Sequence, residues 1–272
     1  MHISTQMKVT HLLTAFVLCL FIKPAHGQVT FLLERTQPVT GKRLYVDNLE
    51  NVFVLNDNEI FKYRPNGTLF NRFSNKSLGK ITLIDVYNPL KILLFYRDFS
   101  RIVFLDNTLT ENGSQLMLEE MDLALATLAC TSYDNGLWIY DINNFRLVRY
   151  KQDLTVSVEV QNINQFVNAG IQPNFLMERE GLVYMADTTI GIMVFDIFGT
   201  YYKTIPIKNV TDFEVVDKKV FYLKAGKLHV YDQRSFEEYD IDLPVTDAID
   251  FSITEKKLYL LRQDTVAVYQ IK

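Results

Sequence analysis

Six copies of one apolar phrase, glycine-bearing turns between them and an orphan strand at the start predict an all-β fold. Its form is a six-bladed β-propeller closed by an N-terminal strand that completes the last blade. In each copy an apolar strand is followed by a polar turn, a second strand, another turn and a third strand ending on an aromatic residue. The second-strand copies are residues 52–55 (VFVL), 92–96 (ILLFY), 137–140 (LWIY), 183–185 (VYM), 220–223 (VFYL) and 258–261 (LYLL). The strand after each ends on Tyr63, Phe104, Tyr150, Phe195, Tyr231 and Tyr269, at steps of 36 to 46 residues. Consecutive β-branched, aromatic and leucine residues suit strands covered on both faces, as radially packed sheets require, whereas an ordinary β-sandwich would alternate more cleanly. Turns such as Pro65-Asn66-Gly67, Asn135-Gly136, Glu180-Gly181, Phe198-Gly199 and Ala225-Gly226 supply the positive φ that tight hairpins need.

Taken in chain order, residues 1–27 read as a cleaved signal peptide: Lys8, an apolar run over 12–22, then Lys23-Pro24 and the small-residue pattern Ala25-His26-Gly27. Eleven apolar residues fall short of the roughly 20 that span a bilayer, so no transmembrane segment is expected in the mature chain. Residues 28–272 are then a single exported propeller domain, placed in a periplasm or cell envelope. The last unit offers strands near 246–253, 257–262 and 265–271 and stops one short of a blade. The orphan strand at 29–33 fills that place and removes two unpaired edges, with Leu32 expected in the packing. Residues 118–125 are expected to form a short helix and 161–170 a polar insertion. Both join an outer strand to the next inner one, so both enlarge the same face, called upper here.

Charge and residue counts limit the chemistry. The chain holds 28 basic and 32 acidic residues, a balance that offers nothing to nucleic acid. Beyond residue 27 only His229 and Cys130 remain of their kinds, so neither a Cys/His zinc set nor an internal disulfide can be assembled. Both lie in strand-like runs and read as packing residues. G-x-S-x-G, P-loop and dinucleotide motifs are missing, and no catalytic residue, metal ligand or cofactor is assigned. On the upper face the candidate ligand- or partner-binding residues are Arg97, Asp98, Asp187, Thr188, Arg262 and Asp264, although hairpin turns use Asp and Thr for their own sake. On the lower face Tyr87 and Tyr133 are candidates for a partner patch, because tyrosine is favoured at interface hot spots. The inner strands at 81–86 and 128–131 read as largely apolar, which argues against a channel lined with carboxylates.

Residues 88–96 (NPLKILLFY), 131–140 (TSYDNGLWIY) and 195–203 (FDIFGTYYK) resemble phrases of an uncharacterised family of exported bacterial six-bladed β-propellers, loosely similar to NHL and TolB-type propellers. The resemblance implies a cell-envelope location and supplies no activity. The chain departs from NHL propellers in lacking their glycine-rich repeat and from the YWTD type in lacking that tetrapeptide. The expected function is that of a non-catalytic module binding another envelope protein or an envelope component. The alternative is a propeller enzyme of the lactonase, lyase or hydrolase kind, using Asp98 and Asp187 around a Ca²⁺ in the central channel.

Overall fold

The computed structural model describes residues 29–168 and 170–272; the signal-peptide expectation lies outside the described residues. Its first strand, β1 (Phe31–Pro38), is followed by 23 more, arranged as six antiparallel four-stranded sheets. Blade 1 is β2 (Arg43–Val46), β3 (Val52–Asn56), β4 (Glu59–Tyr63) and β5 (Leu69–Ser74). Blade 2 is β6 (Leu83–Asp85), β7 (Ile92–Tyr96), β8 (Arg101–Leu105) and the two-residue β9 (Leu116–Met117). Blade 3 is β10 (Ala126–Thr131), β11 (Leu137–Asp141), β12 (Arg146–Tyr150) and β13 (Val156–Val160). Blade 4 is β14 (Phe175–Arg179), β15 (Leu182–Asp187), β16 (Gly191–Asp196) and β17 (Tyr201–Ile205). Blade 5 is β18 (Glu214–Val216), β19 (Lys219–Lys224), β20 (Lys227–Asp232) and β21 (Glu238–Ile241). Blade 6 is β22 (Asp250–Ile253), β23 (Lys257–Leu261) and β24 (Thr265–Ile271), with β1 as its outermost strand.

All six apolar phrases fall on the second strands β3, β7, β11, β15, β19 and β23. Every residue of β7 and β11 is buried, because each blade lays both faces of its sheet against its neighbours. The clusters that result join adjacent blades: Phe53 and Ile60 of blade 1 pack with Ile92 and Val103 of blade 2, and Trp138 of blade 3 with Met185 and Phe195 of blade 4. Turn chemistry matches this layout. Gly136 sits where a Cβ would lie 2.1 Å from the Tyr150 carbonyl oxygen, and this close approach brings the β10–β11 loop down onto β12.

The ring closes as expected, with a difference in what holds it. β1 pairs with β24 from Phe31 to Pro38, interrupted by a register shift between Leu33 and Arg35. Leu32 and Leu33 are half exposed, not packed, because an outermost strand lies at the rim where neighbouring blades diverge. Closure therefore rests on the backbone ladder, on Phe31 packed edge-on to Tyr269 at 6.4 Å, and on polar ties. Lys257 of β23 bridges Glu34 of β1 (3.1 Å) and Glu50 of blade 1 (2.9 Å), and the Val39 N–H donates to the Asp264 carbonyl at 3.0 Å. Between blades 2 and 3 the expected short helix is a 3₁₀ turn, Leu118–Met121, and the insertion after blade 3 carries another, Ile163–Phe166. No helix among the described residues is long and apolar enough to cross a membrane.

Candidate functional site

Turns from second to third strands and the connections between blades share the upper face; turns from first to second strands open on the lower. Arg97 and Asp98 begin an exposed 3₁₀ turn between β7 and β8. Asp187, at the end of β15, is buried and accepts bonds from the N–H groups of Gln172 (2.6 Å), Thr189 (2.8 Å) and Ile190 (3.1 Å) and from the Thr189 hydroxyl (2.7 Å). Burial alone would raise its carboxyl; these bonds outweigh it and hold the group below the usual carboxylate range. The Thr188 carbonyl accepts from Asn209 N–H at 2.8 Å. Arg262 forks onto Asp247 at 2.8 and 2.7 Å, and Asp264 is exposed with its carbonyl engaged by Val39. Asp98 and Asp187 stand on blades 2 and 4 with blade 3 between them. Among the described residues no group of three or more His, Cys, Asp or Glu side chains is placed to hold a metal ion.

The lower candidates have different surroundings. Tyr87, in the β6–β7 loop, is 46% exposed and its ring lies 4.1 Å from the Arg179 guanidinium. Tyr133, in the β10–β11 loop, is 58% exposed with the Arg149 guanidinium 4.5 Å away. Each arginine is itself held. Arg149 donates to Ser132 Oγ (2.9 Å), Ile197 O (3.3 Å) and Asp134, while Arg179 donates to the Glu178 carbonyl (2.8 Å) and approaches Asp85 (3.8 Å). The two loops are also joined, since Asn88 Nδ2 donates to Asn135 Oδ1 (2.8 Å) and Lys91 Nζ to Asn135 O (2.6 Å). Two large exposed rings are thus presented on a braced surface, with little side-chain entropy left to lose on contact.

Inner strands of a propeller have a free edge toward the channel, and their N–H groups need acceptors. Carboxylates of neighbouring blades provide them. Asp85 of blade 2 takes the Thr131 N–H (2.9 Å) and hydroxyl (2.6 Å) of blade 3. Glu178 of blade 4 takes Tyr133 N–H (2.9 Å) and the Trp138 indole N–H (2.7 Å) of blade 3, and Asp250 of blade 6 takes Leu44 N–H (2.8 Å) of blade 1. At the upper end Arg43 bonds Asp250 (3.1 Å) and Asp212. Burial raises the carboxyls of Asp250 and Glu178. The channel wall is therefore charged, contrary to the apolar lining expected. Strand 128–131 does read as apolar, but Asp85 ends the apolar run of 81–86, and the other charges come from the remaining four inner strands, as Arg43, Glu178, Arg179, Glu214 and Asp250. A carboxylate or arginine interrupting an apolar first-strand run was the signal for them.

Along its axis the channel narrows to about 40 Å³ of free space, room for water alone. At the lower mouth it widens into a cleft of about 490 Å³ adjoined by a second of about 210 Å³, and Asn48 and Tyr87 line both. Arg179 and Glu214 line the narrow part and the larger cleft alike. Glu214 accepts one bond, from Ser252 Oγ at 2.9 Å. Its burial, opposed by Arg179 and Ser252, pushes the carboxyl up to about 7. The histidine His229 is on β20, far out in blade 5, paired with Asp240 at 2.7 Å and stacked on Tyr222. Cys130 is buried in the strand β10, where desolvation raises its thiol well above the usual value.

No family model matches the chain, and no curated protein matches it in sequence. Solved structures share its fold. Virginiamycin B lyase from Staphylococcus aureus aligns over 89% of this chain and 99% of its own, with TM-score 0.62 and 10% identity. BBS1N, crystallised in complex with ARL6DN, aligns over 90% and 98% with TM-score 0.55 and 12% identity. PorZ, a surface component of the type-IX secretion system of Porphyromonas gingivalis, aligns over 90% of this chain and 39% of its own, with TM-score 0.53 and 11% identity. At such identities the likeness is one of fold: the chain is a six-bladed β-propeller.

Proposed function

We propose that this propeller is a non-catalytic binding module of the cell envelope, exported by residues 1–27, and that it holds another protein or an envelope component on its lower face. The observation that carries the reading is the pair of exposed, arginine-backed tyrosines, Tyr87 and Tyr133, standing beside two joined clefts at the channel mouth. Rigid aromatic rings flanking a cavity are what interface hot spots are made of. The upper-face candidates are less available, since Asp187 and Arg262 spend their polar atoms on neighbouring loops. By analogy of fold alone, BBS1N in its complex with ARL6DN and the surface component PorZ are propellers whose settings agree with this role.

The test is recovery of partners by a tagged full-length chain from its native envelope fraction. The double variant Tyr87→Ala, Tyr133→Ala is expected to lose the recovered partner, whereas Arg97→Glu, Arg262→Glu retains it. The opposite pattern would move the site to the upper face. Mass spectrometry of the exported protein should find Gln28 at its N-terminus; an intact Met1 or Met7 would contradict export by cleavage.

A further inference from the structure

Charge around the channel does not balance. Asp85, Glu178, Asp212, Glu214 and Asp250 face it from four strands or their approaches, against Arg43 and Arg179. Arg43 is taken by Asp212 and Asp250, and Arg179 by Asp85 and the ring of Tyr87. Glu178 is satisfied by two N–H donors. At the rim Glu50 pairs with Lys257 (2.9 Å) and Glu180 with Lys218 (3.5 Å). The rim also carries Glu255 beside Lys256, one charge of each sign, so within the channel one carboxyl is left over. Glu214 has the Ser252 hydroxyl on Oε1 and no cation in contact among the described residues, and it forms part of the wall of the large cleft.

We propose that the lower mouth receives the cationic tip of a lysine or arginine side chain from a protein partner, with Glu214 as its counter-ion. Resting on the lower-face reading above, this adds to it the chemistry of the partner. The 490 Å³ cleft admits a long side chain, and the 40 Å³ channel behind it does not, so the tip stops at the level of Glu214. A cation brings the missing positive charge into a partly desolvated place, where a charge-assisted bond is stronger than at an open surface.

Binding then depends on pH with a definite sign. The groups facing Glu214 are Arg179 on β14, Asp85 on β6, Tyr45 on β2, Asp250 and Ser252 on β22, with Asp212 two residues before it. With its carboxyl pushed up to about 7, Glu214 is neutral below that pH and charged above it, so a cation binds more tightly as pH rises through 7.

The test is titration of Nα-acetyl-lysine methylamide into the ¹⁵N-labelled full-length chain, read by amide shifts at pH 8 and pH 6. At pH 8 the shifts are expected at Arg179, Glu214, Val216 and Ile253, while the uncharged norleucine analogue produces none. Glu214→Gln keeps the shape and the Ser252 bond; it should weaken the lysine probe about tenfold at pH 8 and abolish the pH dependence. A melting curve of that variant confirms folding. Equal shifts with norleucine, or unchanged lysine affinity in Glu214→Gln, would overturn the proposal. If those results came while Tyr87→Ala, Tyr133→Ala still abolished partner capture, the cationic ligand would be wrong and the lower face right. If the tyrosine variant captured its partner normally, both would fall.

Discussion

The two faces of this propeller use the same kinds of residue to different ends. On the upper face Asp187 and Arg262 bond the turns and connections beside them, in contacts that a single hairpin and its flanking loop can complete. On the lower face and along the channel, Asp85, Glu178 and Asp250 each bond an adjacent blade, so their contacts exist only once those blades are packed together. A charged residue in a hairpin turn stabilises that hairpin. A charged residue at the free edge of an inner strand joins blades and shapes the mouth between them. The lower mouth is consequently braced from blade to blade and also holds chemistry left unspent.

The largest expected effect falls on the closure. Deleting residues 31–38 removes the whole ladder to β24 and the Glu34–Lys257 tie, and should abolish the cooperative thermal transition. A wild-type melting curve for that truncation would mean that the ring needs no closing strand. Next comes Glu178→Ala, which strands the buried Trp138 indole and the partly buried Tyr133 N–H, at a cost of about 2–4 kcal/mol by denaturant titration. A cost below about 1 kcal/mol would put the lower contacts on the same footing as surface pairs.

Glu214→Gln should act in the other direction. A carboxyl raised from 4.5 to about 7 favours the folded state fully below pH 4.5, and that contribution is lost as pH rises through 7, where the buried charge must be borne. The variant should therefore be more stable than the wild type at pH 8.5, by up to roughly 3 kcal/mol, and the difference should vanish below pH 4.5. The smallest effect is expected from Arg262→Ala: its pair with Asp247 is exposed and screened by salt, so the melting curve should stay close to that of the wild type.

Much of the architecture is legible from the second strands, because runs such as ILLFY and LWIY have no polar face and only a doubly covered strand explains them. Closure is legible from the missing strand of the last unit, although the half exposure of Leu32 is not, since strand patterns do not reveal how far blades diverge at the rim. The turn residues are ambiguous by nature. Asp187 in a hairpin has the same appearance in sequence whether it binds a ligand or its own Thr189, and only geometry separates the two. The channel charges interrupt first-strand runs, but their partners are hidden: Glu178 and Trp138 are forty residues apart, and their bond depends on which edge of β14 faces blade 3. Tyr87 and Tyr133 can be singled out as exposed turn aromatics, but not the arginines behind them.

Recognition on the lower face can be read out by photo-crosslinking in cells that make the chain natively. A benzophenone amino acid would replace Tyr87 or Tyr133 on one face, and Arg97 or Arg262 on the other. Lower-face recognition gives a discrete adduct from positions 87 and 133 and none from 97 and 262. Adducts from the upper positions alone would contradict it.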